Sequence, residues 1–333
     1  MRPFEYASPR TEQEAVELLN DHEANTAVLA GGTDLITLMK LDLLAPQRVV
    51  DIKNIESLQT VTAEGDGVLV GSLVTLEEMK DNALLADYRS LIDVVDGVKS
   101  IQIQSMGTLG GDLCHLPNCW YFRNGYGLLG QENGESLVAE GDNRYHAIFG
   151  NQGPAKFVSA TRFGPAMMAW GAKVRVVGPK PDQVTMLPLE YFYVTPKTAK
   201  QGVTVLAPGQ MITHLWLPPA KNLKSATYEV LELEGLDWPL AAASACLEVD
   251  GGIVRNGRVV LGHVAPTPWI SESGVQAIQG RRISEETAEL AGEAAVANAT
   301  PLKDNRYKVR LARTAVKRAI LKAVDQLNLE GGA

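Results

Sequence analysis

The sequence predicts an α+β fold in two domains, the first of them two-lobed. Three observations carry that expectation. A chain of 333 residues is longer than one hydrophobic core usually serves. Its first two thirds mix apolar strands with capped helices and carry two glycine-rich loops, Gly31-Gly32 after a strand and Gly107–Gly111 after a helix. The last third changes to long strands joined by tight turns and then two helices, an order that segregates helices from sheet. The expected division is 1–218 and 219–330, with Pro218-Pro219 at the boundary and lobes of about 1–55 and 56–218.

Thr11 is placed to N-cap the first helix, with Glu14 three residues on as the capping-box partner. Ala15, Leu18 and Leu19 give that helix its buried stripe. Thr26–Ala30 is a short apolar strand running into Gly31-Gly32. Leu35, Ile36, Leu38 and Met39 mark a second helix, and Arg48–Ile52 a second strand. The second lobe opens with the strand VLVGSLVT, and Thr75 with Glu78 repeats the capping box. A helix over about Leu85–Val98 follows, then the glycine stretch Gly107–Gly111. Residues 117–153 are polar and glycine-rich without periodicity, and they read as an insertion loop. Pro165–Ala172 is a helix feeding the strand KVRVVG, and Met211–Pro218 another strand. Past the boundary, AAASACLEV and RVVLGHVA flank Asp250-Gly251-Gly252 and Asn256-Gly257, both hairpin signals. Helices over about Ser284–Asn298 and Asp304–Leu327 close the chain and are expected on one face of the sheet.

Composition excludes several classes. A net charge of −8 opposes a surface that tracks nucleic-acid phosphates. No run approaches the roughly 18–20 apolar residues a bilayer demands, and MRPFEYASPRTEQEAVELL has no apolar signal core. Neither nucleic acid nor membrane is an expected partner. Three cysteines, Cys114, Cys119 and Cys246, do not staple a fold of this size and suit a reducing compartment. A cytoplasmic location is expected.

The chemical signal lies in the glycine turns. Gly31 and Gly32 let the backbone turn tightly and approach a ligand. The helix start beyond them offers N–H groups and a positive dipole end to an anion, and Thr33 adds a hydroxyl. Such a pair of glycines also makes an ordinary turn, and the spacing is not the G-x-G-x-x-G dinucleotide fingerprint. GTLGGDL repeats these features about seventy-five residues later, and two such loops are able to grip a diphosphate from two sides.

At these residues the chain resembles the medium, FAD-binding subunit of the molybdenum hydroxylases, the group of xanthine dehydrogenase, carbon monoxide dehydrogenase and 4-hydroxybenzoyl-CoA reductase. The resemblance runs nearly end to end, through PFEY, EAVELL, AGGTDLITLMK, VVDIKNIESL, GSLVT, GTLGGDL, DWPLAAASA and VVLGHVAPTPW. It implies a two-lobed FAD-binding domain followed by a smaller α+β domain. It also implies FAD contacts from Leu29, Ala30, Gly31, Gly32, Thr33, Asp34 and Leu35 on one loop, and from Thr108, Gly110, Gly111 and Asp112 on the other. The implied partners are a large molybdopterin-containing subunit and a small [2Fe–2S] subunit, with electrons passing from the latter to FAD here and on to an acceptor. CWYFR and NRYHAIFG are similar to the branch that carries an extra [4Fe–4S] cluster. Such a cluster needs four thiolates, and Trp120–Ser244 contains no cysteine, so no metal is expected.

Other positions depart from the family pattern. Gln104-Ser105 replaces Arg-Asn, Thr161-Arg162 replaces Ser-Asp, and Val230 stands for a lysine. Arg162 is a candidate partner for a phosphate. Asp34 is expected to cap the helix after the first loop, and His115, His146 and Trp120–Phe122 to pack the insertion. The basic final helix, Arg306 to Lys322, is expected to be solvated or subunit-facing. No catalytic residue is assigned, consistent with chemistry that belongs to a cofactor. Two alternatives stand beside this reading: a flavin-free structural subunit of the same kind of complex, and a free-standing flavin oxidase.

Overall fold

The computed structural model describes residues 1–20, 25–233 and 237–326. The first lobe is a parallel three-stranded sheet. It comprises β1 (Glu5–Ala7), α1 (Glu12–Asn20), β2 (Thr26–Leu29), α2 (Leu35–Lys40) and β3 (Arg48–Asp51), with strand order β1-β3-β2. The Thr11 hydroxyl accepts from Glu14 N at 3.1 Å, while the Glu14 carboxylate reaches one residue further back, to Arg10 N at 2.7 Å. The stripe buried by α1 is Ala15, Val16 and Leu19.

The second lobe contains β4 (Val61–Glu64), β5 (Gly67–Gly71), α3 (Leu76–Asp81), α4 (Arg89–Gly97), α5 (Ile101–Met106) and α6 (Leu109–Leu113). The insertion holds α7 (Trp120–Arg123), the two-residue strands β6 (Gln131–Glu132) and β7 (Glu135–Ser136), and α8 (Leu137–Glu140). Then come α9 (Phe163–Trp170), β8 (Lys173–Val177), β9 (Val184–Pro188) and β10 (Met211–Leu217), completing an antiparallel sheet of order β4-β5-β10-β8-β9. The Thr75–Glu78 capping box of α3 forms in full. The helix expected from Leu85 begins only at Arg89. Tyr88 leaves helical geometry to bury its ring against Trp170, 4.7 Å between centroids, and to donate its hydroxyl to Pro218 O at 2.7 Å.

The third sheet is antiparallel, β11 (Leu223–Val230), β12 (Ala241–Asp250), β13 (Ile253–Gly262) and β14 (Trp269–Ile270), followed by α10 (Glu272–Gln276), α11 (Glu285–Val296) and α12 (Tyr307–Ala323). The turn falls at Gly251-Gly252, both with positive φ. Asn256-Gly257, expected as a second turn, lies inside β13 beside the register shift at Glu248/Val249. Gly257 is needed there because a Cβ would come within 2.6 Å of the Leu247 side chain.

Strand β12 is apolar on both faces because both are covered. Ala241, Ala243, Ala245 and Leu247 pack in one core with Ala312, Ala315, Val316, Ala319 and Ile320 of α12. Cys246 on the opposite face joins the core of α4, α9 and the five-stranded sheet. Of the two closing helices only α12 lies broadly on the sheet, whereas α11 packs on α12. Gly292 permits that approach, since a Cβ would stand 2.6 Å from Arg313 O. Leu327, the expected end of the last helix, is outside the described residues.

The insertion is more ordered than its composition implies. Residues 146–149 are buried, Ile148 N donates to Val264 O at 2.8 Å, and Phe149 stacks on Trp269 at 5.0 Å. Among the described residues, no helix is long and apolar enough to cross a membrane.

Candidate functional site

The first glycine loop runs from the end of β2 to the start of α2, and the second from α5 into α6. The two touch. A Cβ on Gly31 would overlap the Met106 carbonyl oxygen, so glycine at 31 serves the packing of one loop on the other. Gly32 has φ +72°, the left-handed region that glycine adopts without steric cost. Among the described residues, the backbone N–H groups of Gly32, Thr33, Asp34 and Leu35 donate to no protein acceptor. Successive amides left free beside a cleft are a usual cradle for an anionic oxygen. Because α2 has only six residues, these amides matter more than a helix dipole.

The second loop is built differently. Thr108 caps α6 by accepting from Gly111 N at 3.1 Å. Gly110 N donates to Ser72 O at 2.8 Å and Asp112 N to Thr108 O at 2.9 Å. The amides of Leu109, Gly110, Gly111 and Asp112 are spent inside the protein, so this loop contributes mainly a wall and the Thr108 hydroxyl.

Between the loops lies a cleft of about 600 Å³, within the range of about 300–1,000 Å³ usual for organic ligands. Ala30, Gly31, Gly32, Thr33, Asp34, Leu35, Thr108, Gly111 and Asp112 all line it. Leu29 and Gly110 do not; the Leu29 side chain sits under Gly32, and Gly110 packs against Ser72. Sequence reasoning missed Ser100, Ile103, His115, Arg123, Phe163 and Trp238, which complete the walls. Arg123, the last residue of CWYFR, and Trp238, in DWPLAAASA, had a visible signal. The others come from elements whose approach depends on tertiary packing.

The charged groups of the cleft are paired within the protein. Asp34 occupies the N-cap position of α2 but makes no cap hydrogen bond. Its carboxylate instead accepts from Arg123 Nη1 at 2.7 Å, tying the insertion to the first loop. Asp112 accepts from the Thr161 hydroxyl, from Arg162 N at 3.1 Å and from Phe163 N at 3.0 Å, so it caps α9. The Arg162 guanidinium, a candidate for a phosphate, is held by Glu229, with Nε to Oε1 at 2.9 Å. Gln104 turns inward to Val98 O at 2.5 Å.

A family model for the FAD binding domain in molybdopterin dehydrogenase matches residues 2–220, and one for the CO dehydrogenase flavoprotein C-terminal domain matches 226–323. The chain belongs to this family. FAD is its cofactor, and it is an oxidoreductase subunit of the molybdenum hydroxylase type. It is 24% identical to the carbon monoxide dehydrogenase medium chain of Hydrogenophaga pseudoflava, over 95% of this chain and 96% of that one. It is 26% identical to the aldehyde oxidoreductase FAD-binding subunit PaoB of Escherichia coli K12, over 98% and 100%. The structure of the Hydrogenophaga carbon monoxide dehydrogenase superposes with a TM-score of 0.77 at 23% identity, covering 98% of this chain and 100% of that one. At that identity the superposition speaks for the fold alone. The donor set of this flavin subunit fits its cofactor: free loop amides for a diphosphate, and the apolar walls of Leu35, Leu76, Ile103 and Phe163 for the rest of a dinucleotide.

Beside the cleft, the cluster motif has become a different arrangement. Cys119 Sγ lies 3.2 Å from His146 Nε2, and burial pushes the Cys119 thiol up. Burial also brings His146 down to about 4 and His263 well below its ordinary value. Both imidazoles are therefore neutral when folded, whereas the unfolded chain takes up their protons below about pH 6.5. Their contribution to stability is complete above that pH and is lost as pH falls toward 4. Burial of His146 should cost about 2 kcal/mol at pH 5, and His263 adds a loss of the same sign. Denaturant unfolding at pH 7 and 5 should show the loss, and His146→Gln with His263→Asn should reduce it by about half or more. An equal loss in the double variant would refute this account.

The final helix leaves Arg306, Arg310 and Arg318 exposed, but its other basic residues are engaged within the protein. Lys308 is buried and donates to Tyr145 O, His146 O and His263 O at 2.8–3.1 Å. Arg313 and Lys317 pair with Glu289, and Lys322 with Asp93. Trp120 packs edge-on to Tyr145, 5.4 Å between centroids.

Proposed function

We propose that the chain relays electrons from the [2Fe–2S] centres of a small partner subunit to an external acceptor, within a complex whose large subunit carries molybdopterin. FAD supplies the electron-accepting and electron-donating chemistry when bound. The free amides of Gly32–Leu35 carry the reading, with Ala30, Gly31, Thr108, Gly111 and Asp112 shaping the cleft around the diphosphate and Leu29 and Gly110 supporting from behind. The cleft's carboxylates support a relay over a free-standing oxidase. Asp34 is held by Arg123 and Asp112 by the start of α9, which leaves neither placed as a substrate base. We place the domain boundary at 218/219 and the complex in the cytoplasm.

Purified chain is expected to absorb as a flavoprotein and to release FAD, not FMN, on denaturation. From its native source it should co-purify with a larger molybdopterin subunit and a smaller iron–sulfur subunit. A colourless chain that takes up no FAD would sink the site. A chain that purifies alone and turns over a substrate with oxygen or NAD would sink the relay.

A further inference from the structure

The cleft is poorly charged for a diphosphate. Its lining includes three carboxylates, Asp34, Asp112 and Asp237, against two guanidiniums, Arg123 and Arg162. Like charges a few ångströms apart repel strongly in such a place unless a cation stands beside them. Asp112 and Arg162 are already committed, the first to the start of α9 and the second to Glu229. Asp237 accepts from Leu233 N at 3.1 Å.

Asp34 is the critical acid, because it stands in the first loop itself. Its neighbours Gly32, Thr33 and Leu35 keep amides that donate to no protein acceptor among the described residues. An aspartate at an N-cap position ordinarily accepts from the second or third amide of its helix, yet the Asp34 side chain makes no such bond. Among the described residues its one hydrogen-bond donor is Arg123, at 2.7 Å. His115 Nδ1 comes within 3.6 Å but lies closer to Leu116 O, at 2.7 Å.

Arg123 is fixed for this contact from behind. Its Nε donates to Pro117 O at 3.0 Å and Nη2 to Leu116 O at 3.1 Å, so the backbone of the insertion holds the guanidinium while Nη1 meets Asp34. A planar fork held on two sides loses little freedom in making the third bond. The pair is 15% and 18% exposed and joins segments eighty-nine positions apart.

We propose that Arg123 is a positioning residue of the cofactor site: it neutralises Asp34 and holds that carboxylate aside, so that the free amides of the first loop receive a diphosphate and not the protein's own anion. The proposal rests on the reading that the diphosphate of FAD sits at those amides. It gives the insertion a task toward the flavin that requires no metal.

The test titrates the full chain, stripped of flavin, with FAD and with ADP-ribose, which carries the same diphosphate. Arg123→Gln keeps a polar side chain and removes the charge. It should weaken both ligands about tenfold or more, a modest share of what unit charges a few ångströms apart exert near a protein surface. Asp34→Asn should tighten both by about threefold or more, for the same reason. The double variant should return to within about threefold of wild type, since without the carboxylate there is no charge to neutralise. A purely structural arginine would not be rescued in this way. Undiminished binding in Arg123→Gln would overturn the proposal. So would a loss that persists in the double variant, which would put Arg123 on the phosphate or in the support of the insertion. Weaker binding in Asp34→Asn would overturn it as well, and that variant decides the matter even if those at position 123 fail to fold. A change for FAD without one for ADP-ribose would move the arginine's role to the flavin end and refute it. If wild type binds FAD and ADP-ribose does not compete, the diphosphate seat falls and this proposal with it; the other failures leave that seat standing.

Discussion

Replacing Gly31 by alanine is expected to destabilise the FAD-binding part of the chain by about 3 kcal/mol or more. An added Cβ would collide with the Met106 carbonyl, and backbone on both sides leaves no side chain to move aside. Overpacking a well-filled site costs about 1–3 kcal/mol even where side chains yield. For a protein of this size the fall in Tm should be roughly 6–12 °C. The same movement would separate the first loop from α5 and open the cleft, so flavin content should fall with stability. Gly32→Ala isolates the other requirement. There a Cβ meets only the ends of Leu29 and Ile36, at 3.2 and 3.3 Å, and the main cost is about 1–2 kcal/mol for a left-handed residue with a side chain. The expected order is wild type, then Gly32→Ala, then Gly31→Ala, in both Tm and bound FAD. A Gly31→Ala protein with native Tm and a full flavin complement would show that the loops do not pack in this way.

That contrast marks where sequence reasoning reached and where it stopped. Strands, capped helices and the two glycine loops were legible because each rests on local rules. Period-2 and period-3.6 apolar patterns, Thr75–Glu78, and glycine after a strand are examples. The role of Gly31 was not legible, because its partner Met106 is seventy-five positions away and only the fold brings them together. Asn256-Gly257 misled for the same reason. The dipeptide is a turn signal locally, but its glycine answers to Leu247 on the neighbouring strand.

Charges were the least legible feature. Asp34 was expected as a cap, Arg162 as a phosphate partner and Lys308 as part of a solvated or subunit-facing helix. Each lies within reach of an opposite charge or a set of carbonyls from a distant segment: Arg123, Glu229, and the Tyr145, His146 and His263 backbone. Burial makes such partners obligatory, but composition does not say which residue supplies them. The resemblance carried the site where local physics left it open, since AGGTDL alone fits an ordinary turn.

The Arg162–Glu229 pair carries the other large expected effect. Its side chains are only 10% and 7% exposed, in a place where the family pattern has an acid at the arginine position. Glu229→Ala would leave a guanidinium buried without its counter-charge, and breaking such a pair costs about 3–5 kcal/mol. Arg162→Met/Glu229→Met removes both charges and keeps the volume, and replacing a buried pair by apolar groups is often neutral or stabilising. The single variant should therefore melt well below wild type while the double variant melts near it. Flavin content separates two roles for the arginine. With its guanidinium held by Glu229 at 2.9 Å, Arg162 is committed to the protein, so the double variant should keep FAD with an affinity within about threefold of wild type, less than one charged hydrogen bond is worth. If the double variant is stable but loses FAD tenfold or more, Arg162 leaves Glu229 to hold the cofactor, and the pair is a clamp that opens on binding.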